Sequence, residues 1–152
     1  MKPTLLRGNI HKDTRGSLYY NNSFDTSIIK KLRGIMKIGI TGQKGFVGQH
    51  LYNTLGLDSE QYELVSFKKN FFESDEQLDA FVLQCDVIIH LAAMNRNSNP
   101  DVIYNTNVQL VEKLVASLIR TDSNAHIVMS SSSQEEKDNL YGKSKRDGRL
   151  LF

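Results

Sequence analysis

Between Thr41 and Gly48 the chain reads TGQKGFVG, three glycines in GxxGxxG spacing set between a short β-branched run and a helical pattern. The run is Lys37–Thr41 (KIGIT), and Phe46, Val47, Leu51 and Leu55 follow at the spacing of one helix face. A chain leaving a buried strand here must reverse sharply, bring its backbone close to whatever lies above the turn, and pack the new helix against the sheet. Each step favours a residue without a Cβ. The free N–H groups and positive dipole end of that helix suit a phosphate. The loop therefore predicts a nucleotide-cofactor cradle built on Gly42, Gly45, Phe46, Val47 and Gly48. It is not a phosphate loop of the NTPase kind, because Lys44 precedes the last two glycines and no GK[ST] follows.

The alternation of strand and helix continues. Glu63–Phe67 (ELVSF) reads as a second strand, and Ser74–Gln84 as a helix with Ser74 as cap, Gln77 at capping-box spacing, and Leu78, Phe81 and Val82 on one face. Asp86–Ala93 (DVIIHLAA) is almost continuously apolar, the pattern of a parallel strand covered by helices on both sides. Pro100 or Asp101 opens a long helix through Ile119, whose buried side is expected to be Val102, Ile103, Val108, Leu110, Val111, Leu114, Val115 and Leu118. Ala125–Met129 (AHIVM) reads as a further buried strand, and a helix from about Tyr141 closes the chain. Such an order implies right-handed βαβ crossovers and an α/β fold of the Rossmann type, a doubly wound parallel sheet.

Composition narrows the classes without identifying a partner. With 152 residues, 39% hydrophobic and 24% charged, the chain can build one domain with a real core, and a formal charge of +2 gives no ground to expect nucleic acid. No stretch approaches the roughly 18 apolar residues of a membrane span, and the amino terminus carries no signal-like run, so a cytoplasmic chain is expected. Its single cysteine, Cys85, lies in an apolar stretch and is expected to be a reduced, buried thiol.

Which nucleotide binds depends on the end of the second strand, where a carboxylate would take the ribose 2′-OH of NAD. Phe67, Lys68 and Lys69 stand there instead. Two cations favour the 2′-phosphate of NADP, with NAD as the alternative. A second chemical signal follows the strand Ala125–Met129: a serine run, Ser130–Ser133, and then YGKSK, Tyr141–Lys145. Tyr141 and Lys145 are one helical turn apart and share a face. A nearby ammonium stabilises a phenolate, so Tyr141 could give or take the proton of a carbonyl/alcohol pair while a serine hydroxyl holds the same oxygen.

Together, the glycine loop, the strand ending His90-Leu91-Ala92-Ala93, Asn107 in the next helix, the serines and YGKSK resemble the extended short-chain dehydrogenase/reductase family. The likeness runs from about Met36 to Phe152. It implies that Ser132 is the catalytic serine, Tyr141 the acid/base, and Lys145 the lysine that tunes Tyr141 and binds the nicotinamide ribose. It also implies that Leu91, Ala92 and Ala93 line the cofactor. Only the family likeness separates Ser132 from Ser131 and Ser133. DVIIHLAAMNR and SSSSQEEKDNLYGKSK are most similar to bacterial sugar-nucleotide reductases of capsular polysaccharide and O-antigen synthesis. Those enzymes use NADPH to reduce a 4-keto sugar on a nucleotide, UDP in the closest cases, and Lys68 falls where they tend to carry a basic residue. An NAD-recycling epimerase or dehydratase is the alternative within the family.

Two features depart from that pattern. Family chains run well over a hundred residues past YxxxK, so residues 36–152 are expected to hold the cofactor half and to lack the sugar-binding lobe. On that reading the chain is a fragment able at most to bind nucleotide, and its last helix exposes apolar surface that favours self-association into a homo-oligomer. The other departure is an amino-terminal extension, residues 1–35. Its stretch GNIHKDTRGSLYYNNSFD, Gly8–Asp25, reads as a hairpin or pair of edge strands and resembles the start of cupin-type sugar-nucleotide isomerases. His11 is expected to face solvent there, and no metal is expected.

Overall fold

The computed structural model describes residues 9–13, 16–20 and 35–152. β1 (Asn9–Asp13) and β2 (Gly16–Tyr20) pair antiparallel, Asn9 opposite Tyr20 and Asp13 opposite Gly16, the expected hairpin. The remainder of the extension and the side chain of His11 lie outside the described residues, and with them the cupin-like reading.

A four-stranded parallel sheet follows, in the order β4-β3-β5-β6. Its strands are β3 (Met36–Thr41), β4 (Tyr62–Val65), β5 (Val87–His90) and β6 (His126–Met129). The helices are α1 (Phe46–Gly56), α2 (Asp75–Leu83), α3 (Pro100–Arg120) and α4 (Leu140–Leu150). The crossover from β3 to β4 runs one way along the sheet, and those from β4 to β5 and β5 to β6 run the other. A shared right hand then puts α1 on one face and α2 and α3 on the opposite one. α4 packs on α3 and joins that side.

This asymmetry explains where the burial pattern departs from the sequence expectation. Gly39, Thr41, Ile88 and His90 point to the face of three helices, where Ile88 and His90 meet the core of Val65, Phe67, Phe72, Leu78, Phe81, Val82, Cys85 and Leu114. On the other face only α1 provides cover among the described residues. Val87 and Ile89 are therefore half-buried and Val128 of β6 is exposed, so β5 and β6 are not covered on both sides as the apolar runs suggested. Cys85 is buried as expected: its thiol donates to the Phe81 carbonyl at 3.2 Å, and burial pushes its pKa up to about 12.

Local signals set most boundaries. Ser74 caps α2 by accepting from the Gln77 N–H at 3.3 Å, although the reciprocal half of the capping box is not formed, because the Gln77 side chain accepts from Asn70 instead. Asn99 caps α3 and Pro100 occupies its first position, where a missing N–H costs nothing. Along α3 the buried residues are Ile103, Asn107, Val111, Leu114 and Ser117. Val102, expected on that face, is instead exposed. Ser117 and Arg120 both donate to Asp79, which ties α3 to α2.

Candidate functional site

The chain goes from β3 to β4 on one side, then back past β3 to β5 on the other. The carboxyl ends of β3 and β5 therefore diverge at a switch point, where open α/β sheets hold their ligands. The glycine loop sits on the end of β3. Gly42 has φ 75°, and a Cβ there would lie 2.7 Å from the backbone N of Ala92, so the turn needs both the left-handed conformation and the missing side chain. A Cβ on Gly48 would lie 2.3 Å from the Gly42 carbonyl oxygen, which explains the third glycine by packing of α1 on the turn. Gly45 differs. Its φ is −75° and its Cβ would meet only the Gly42 oxygen at 3.2 Å, so the protein's own demand for a glycine is much weaker there.

Gly45 is also the N-cap of α1, and α1 starts bare. α2, α3 and α4 are each capped by a side chain, Ser74, Asn99 and Asn139, whereas α1 has no side-chain cap and no carboxylate in its first turn. The leading N–H groups of α1 and its positive dipole end face outward beside Phe46 and Val47, which are 81% and 60% exposed. In the same loop the side-chain oxygen of Gln43 is buried without a partner among the described residues.

Leu91 and Ala92 pack directly on this turn. The Thr41 carbonyl accepts from the Leu91 N–H at 3.1 Å, and the Thr41 hydroxyl accepts from the Ala92 N–H at 3.3 Å. Thr41 also shares a 2.8 Å hydrogen bond with Nδ1 of His90, both side chains being buried. The other ring nitrogen, Nε2, has no partner among the described residues. Burial, reinforced by the nearby Lys145 charge, drives the His90 pKa down to about 3, so the ring is neutral at pH 7. Ala93 is exposed just beyond. Lys68 and Lys69 are exposed at the opposite end of the crevice, where β4 runs into a 3-10 turn at Lys69–Glu73.

α4 brings the second cluster to the same end of the sheet. Its approach depends on Gly142, where a Cβ would lie 1.8 Å from the carbonyl oxygen of Gln134, so the helix start is pressed onto the 3-10 turn Ser133–Glu136. That contact brings the first turn of α4, with Tyr141, against the 3-10 turn that follows the serine run. Lys145, one turn on, is only 3% exposed, and its ammonium donates to the Ser130 hydroxyl at 3.3 Å. Ser130 in turn donates to the His90 carbonyl at 3.4 Å. Burial lowers the Lys145 pKa and the charge of Glu135 raises it again in part. Ser132 caps the 3-10 turn, its hydroxyl oxygen accepting from the Gln134 N–H at 3.2 Å, while Ser131 donates to Glu135.

Asn107 joins the two clusters. From inside α3 its amide oxygen accepts from the Met94 N–H at 2.6 Å, and its amide nitrogen donates to the Met94 carbonyl and to the Ser144 hydroxyl, each at 3.0 Å. Ser144 then donates to the Tyr141 carbonyl at 2.7 Å, so one buried amide holds the loop after β5 and the first turn of α4. The sequence marks Asn107 but not its bracing role, and does not single out Ser130 or Glu135. The available signal was polarity out of place: an asparagine in an apolar helical stripe and a histidine ending an apolar strand both need partners.

Comparison with known proteins matches this same part of the chain. The family model described as the NAD dependent epimerase/dehydratase family matches residues 38–148. A UDP-2-acetamido-2,6-beta-L-arabino-hexul-4-ose reductase of Pseudomonas aeruginosa is 33% identical over 111 residues, covering 73% of this chain and 29% of that protein. Among solved structures, the capsular polysaccharide assembling protein CapF from Staphylococcus aureus is 30% identical with a TM-score of 0.59, over 76% of this chain and 29% of that one. RMD from Pseudomonas aeruginosa, solved with NADPH, is 20% identical with a TM-score of 0.66, over 77% and 47%, and supports the fold alone.

Proposed function

The chain belongs to the NAD dependent epimerase/dehydratase family, and from that premise we propose that residues 36–152 bind NADP, with NAD as the alternative, and serve the reduction of a 4-keto group on a nucleotide-linked sugar. The observation that carries the reading is the convergence of an uncapped helix start and a buried lysine, one turn from a tyrosine, at one switch point. The cradle fits such a cofactor: bare N–H groups for a pyrophosphate, an unpartnered Gln43 oxygen, and no side chain at Gly45 to obstruct a close approach. Lys68 and Lys69, with no carboxylate beside them, favour a 2′-phosphate. The sugar substrate is suggested by the reductase name of the curated relative, of whose length this chain spans 29%.

A bound nicotinamide supplies or takes the hydride at the sugar carbon. Proton handling falls to the chain's own residues. Tyr141 donates to the forming alkoxide, and the Lys145 ammonium stabilises the phenolate left behind. The oxygen of Ser132 already accepts from the Gln134 N–H, which leaves its O–H free to donate to the substrate oxygen. Ser130 fixes Lys145 from the strand side. Thr41, Leu91 and Ala92 position the floor under the cofactor.

Calorimetric titration of NADPH and NADH tests the reading. We expect NADPH to bind the tighter, and a Lys68→Ala, Lys69→Ala double variant to lose about tenfold in NADPH affinity while NADH binding stays unchanged, in line with removal of an exposed phosphate contact. Absence of binding by either nucleotide would refute the proposal. With a 4-keto nucleotide sugar, stoichiometric loss of NADPH absorbance supports reduction, whereas turnover without net cofactor change indicates epimerisation.

A further inference from the structure

The face of α4 that carries Tyr141 and Lys145 continues to Arg149, one further turn along. Arg149 donates to one oxygen of Glu135 through Nε at 3.2 Å and Nη2 at 3.0 Å, and the other oxygen accepts from Ser131. The Glu135 carboxylate is thereby fixed on both oxygens beside Arg149, which shares its helix face with the buried Lys145, and its side chain is only 12% exposed. Its 3-10 turn is also clamped to α4 at Gly142.

We propose that Glu135, oriented by Arg149 and Ser131, is the counter-charge of the buried Lys145 ammonium and hence a positioning residue for the proton chemistry of Tyr141. A buried ammonium without a counter-charge is driven toward its neutral form, and neutral lysine cannot stabilise a phenolate. The groups around Lys145 leave this task to Glu135. From β5 comes His90, which is neutral and offers no counter-charge; from the strand end, Ser130 offers a hydroxyl; from α3, Asn107 is occupied by Met94 and Ser144. On α4 itself Asp147 is engaged by Tyr104 and Arg146, and Tyr141 and Arg149 bring no carboxylate. The assignment rests on the proposed role of Tyr141 and Lys145, but the charge pairing can be measured without turnover.

Two substitutions separate the pairing from a merely structural brace. Nuclear magnetic resonance titration of the Lys145 side chain in the full chain, assigned by its loss in Lys145→Arg, gives the ammonium midpoint directly. In Glu135→Gln the midpoint should fall by about one pH unit, the scale of a lost opposite charge nearby. In Arg149→Gln it should rise, because the carboxylate remains and its competing cation is gone. Loosening of a structural brace would admit water and move both variants upward, so shifts of the same sign, or an unmoved midpoint in a folded Glu135→Gln, would overturn the proposal. NADPH titration of the same samples keeps the two readings apart. A chain that binds no NADPH but shows opposite shifts retains the pairing and loses the cofactor assignment.

Discussion

The turn after β3 and the segment after β6 meet at the same end of the sheet but are built from opposite materials. Around the turn, function is prepared by removing side chains: three glycines, a helix start with no cap, and unsatisfied backbone donors facing outward. After β6 the polar side chains nearest Lys145 are engaged instead. Ser130, Ser131, Ser132, Glu135, Ser144, Lys145 and Arg149 are linked by hydrogen bonds, and Asn139 caps the helix. The contrast follows from the chemistry each region must do. A large anion is held by open backbone dipoles that need room, whereas a proton moved at neutral pH needs charges fixed in place away from water.

Substitution with alanine should divide the two regions most sharply. Gly142→Ala sets a Cβ 1.8 Å from a backbone oxygen that cannot turn aside, and should cost about 3 kcal/mol or more of stability in urea unfolding by forcing α4 off its turn. If Gly142→Ala unfolded like wild type, the close docking of α4 would be wrong.

The next effect is at the join, where His90 is bonded to both regions, through its ring to Thr41 and through its carbonyl to Ser130. A histidine whose folded pKa is depressed to about 3 is neutral in the folded chain and protonated in the unfolded chain between pH 3 and about 6.5, so stability falls as pH drops through that window. From pH 7 to pH 5 the loss should be about 2 kcal/mol, read as a falling urea midpoint, and His90→Gln should flatten the slope. Asp79, whose carboxyl is held below its usual value by Arg120, loses its contribution only at lower pH, below about 4, so the two groups act in different windows. A midpoint constant from pH 7 to pH 5 would show that His90 is not the buried neutral group described.

Smallest in stability is Gly45→Ala, expected to cost about 1 kcal/mol, because its Cβ would press only on the Gly42 oxygen, at 3.2 Å, and alanine is a poorer N-cap than glycine. Its NADPH affinity should nevertheless drop about tenfold. A large stability loss with intact binding would reverse the contrast between Gly45 and its neighbours.

Much of this was legible in the residues. Strand and helix order follows from period and punctuation, and Ser74 and Pro100 mark helix starts because caps and first-turn proline act within a few residues. Burial was less legible, because it depends on what arrives from elsewhere. Val102 and Val128 are as apolar as their buried neighbours and stay exposed, while Asn107 and Ser117 are buried because α4 and Asp79 supply their hydrogen bonds. In the site, Tyr141 and Lys145 were placed together by helix geometry alone, but Ser130 meets Lys145 only because β6 ends beside β5.

The sequence by itself determined the turn, the helix that follows it and the one-turn spacing of Tyr141 and Lys145, since each is set by φ, by Cβ sterics or by helical period over a few residues. Only the tertiary structure decided that Gly45 is far less crowded than Gly42 and Gly48, that His90 is neutral, and that the Glu135 carboxylate is fastened by Arg149, one turn beyond Lys145. These depend on distances between segments remote in the chain and on exclusion of water, which no local pattern encodes.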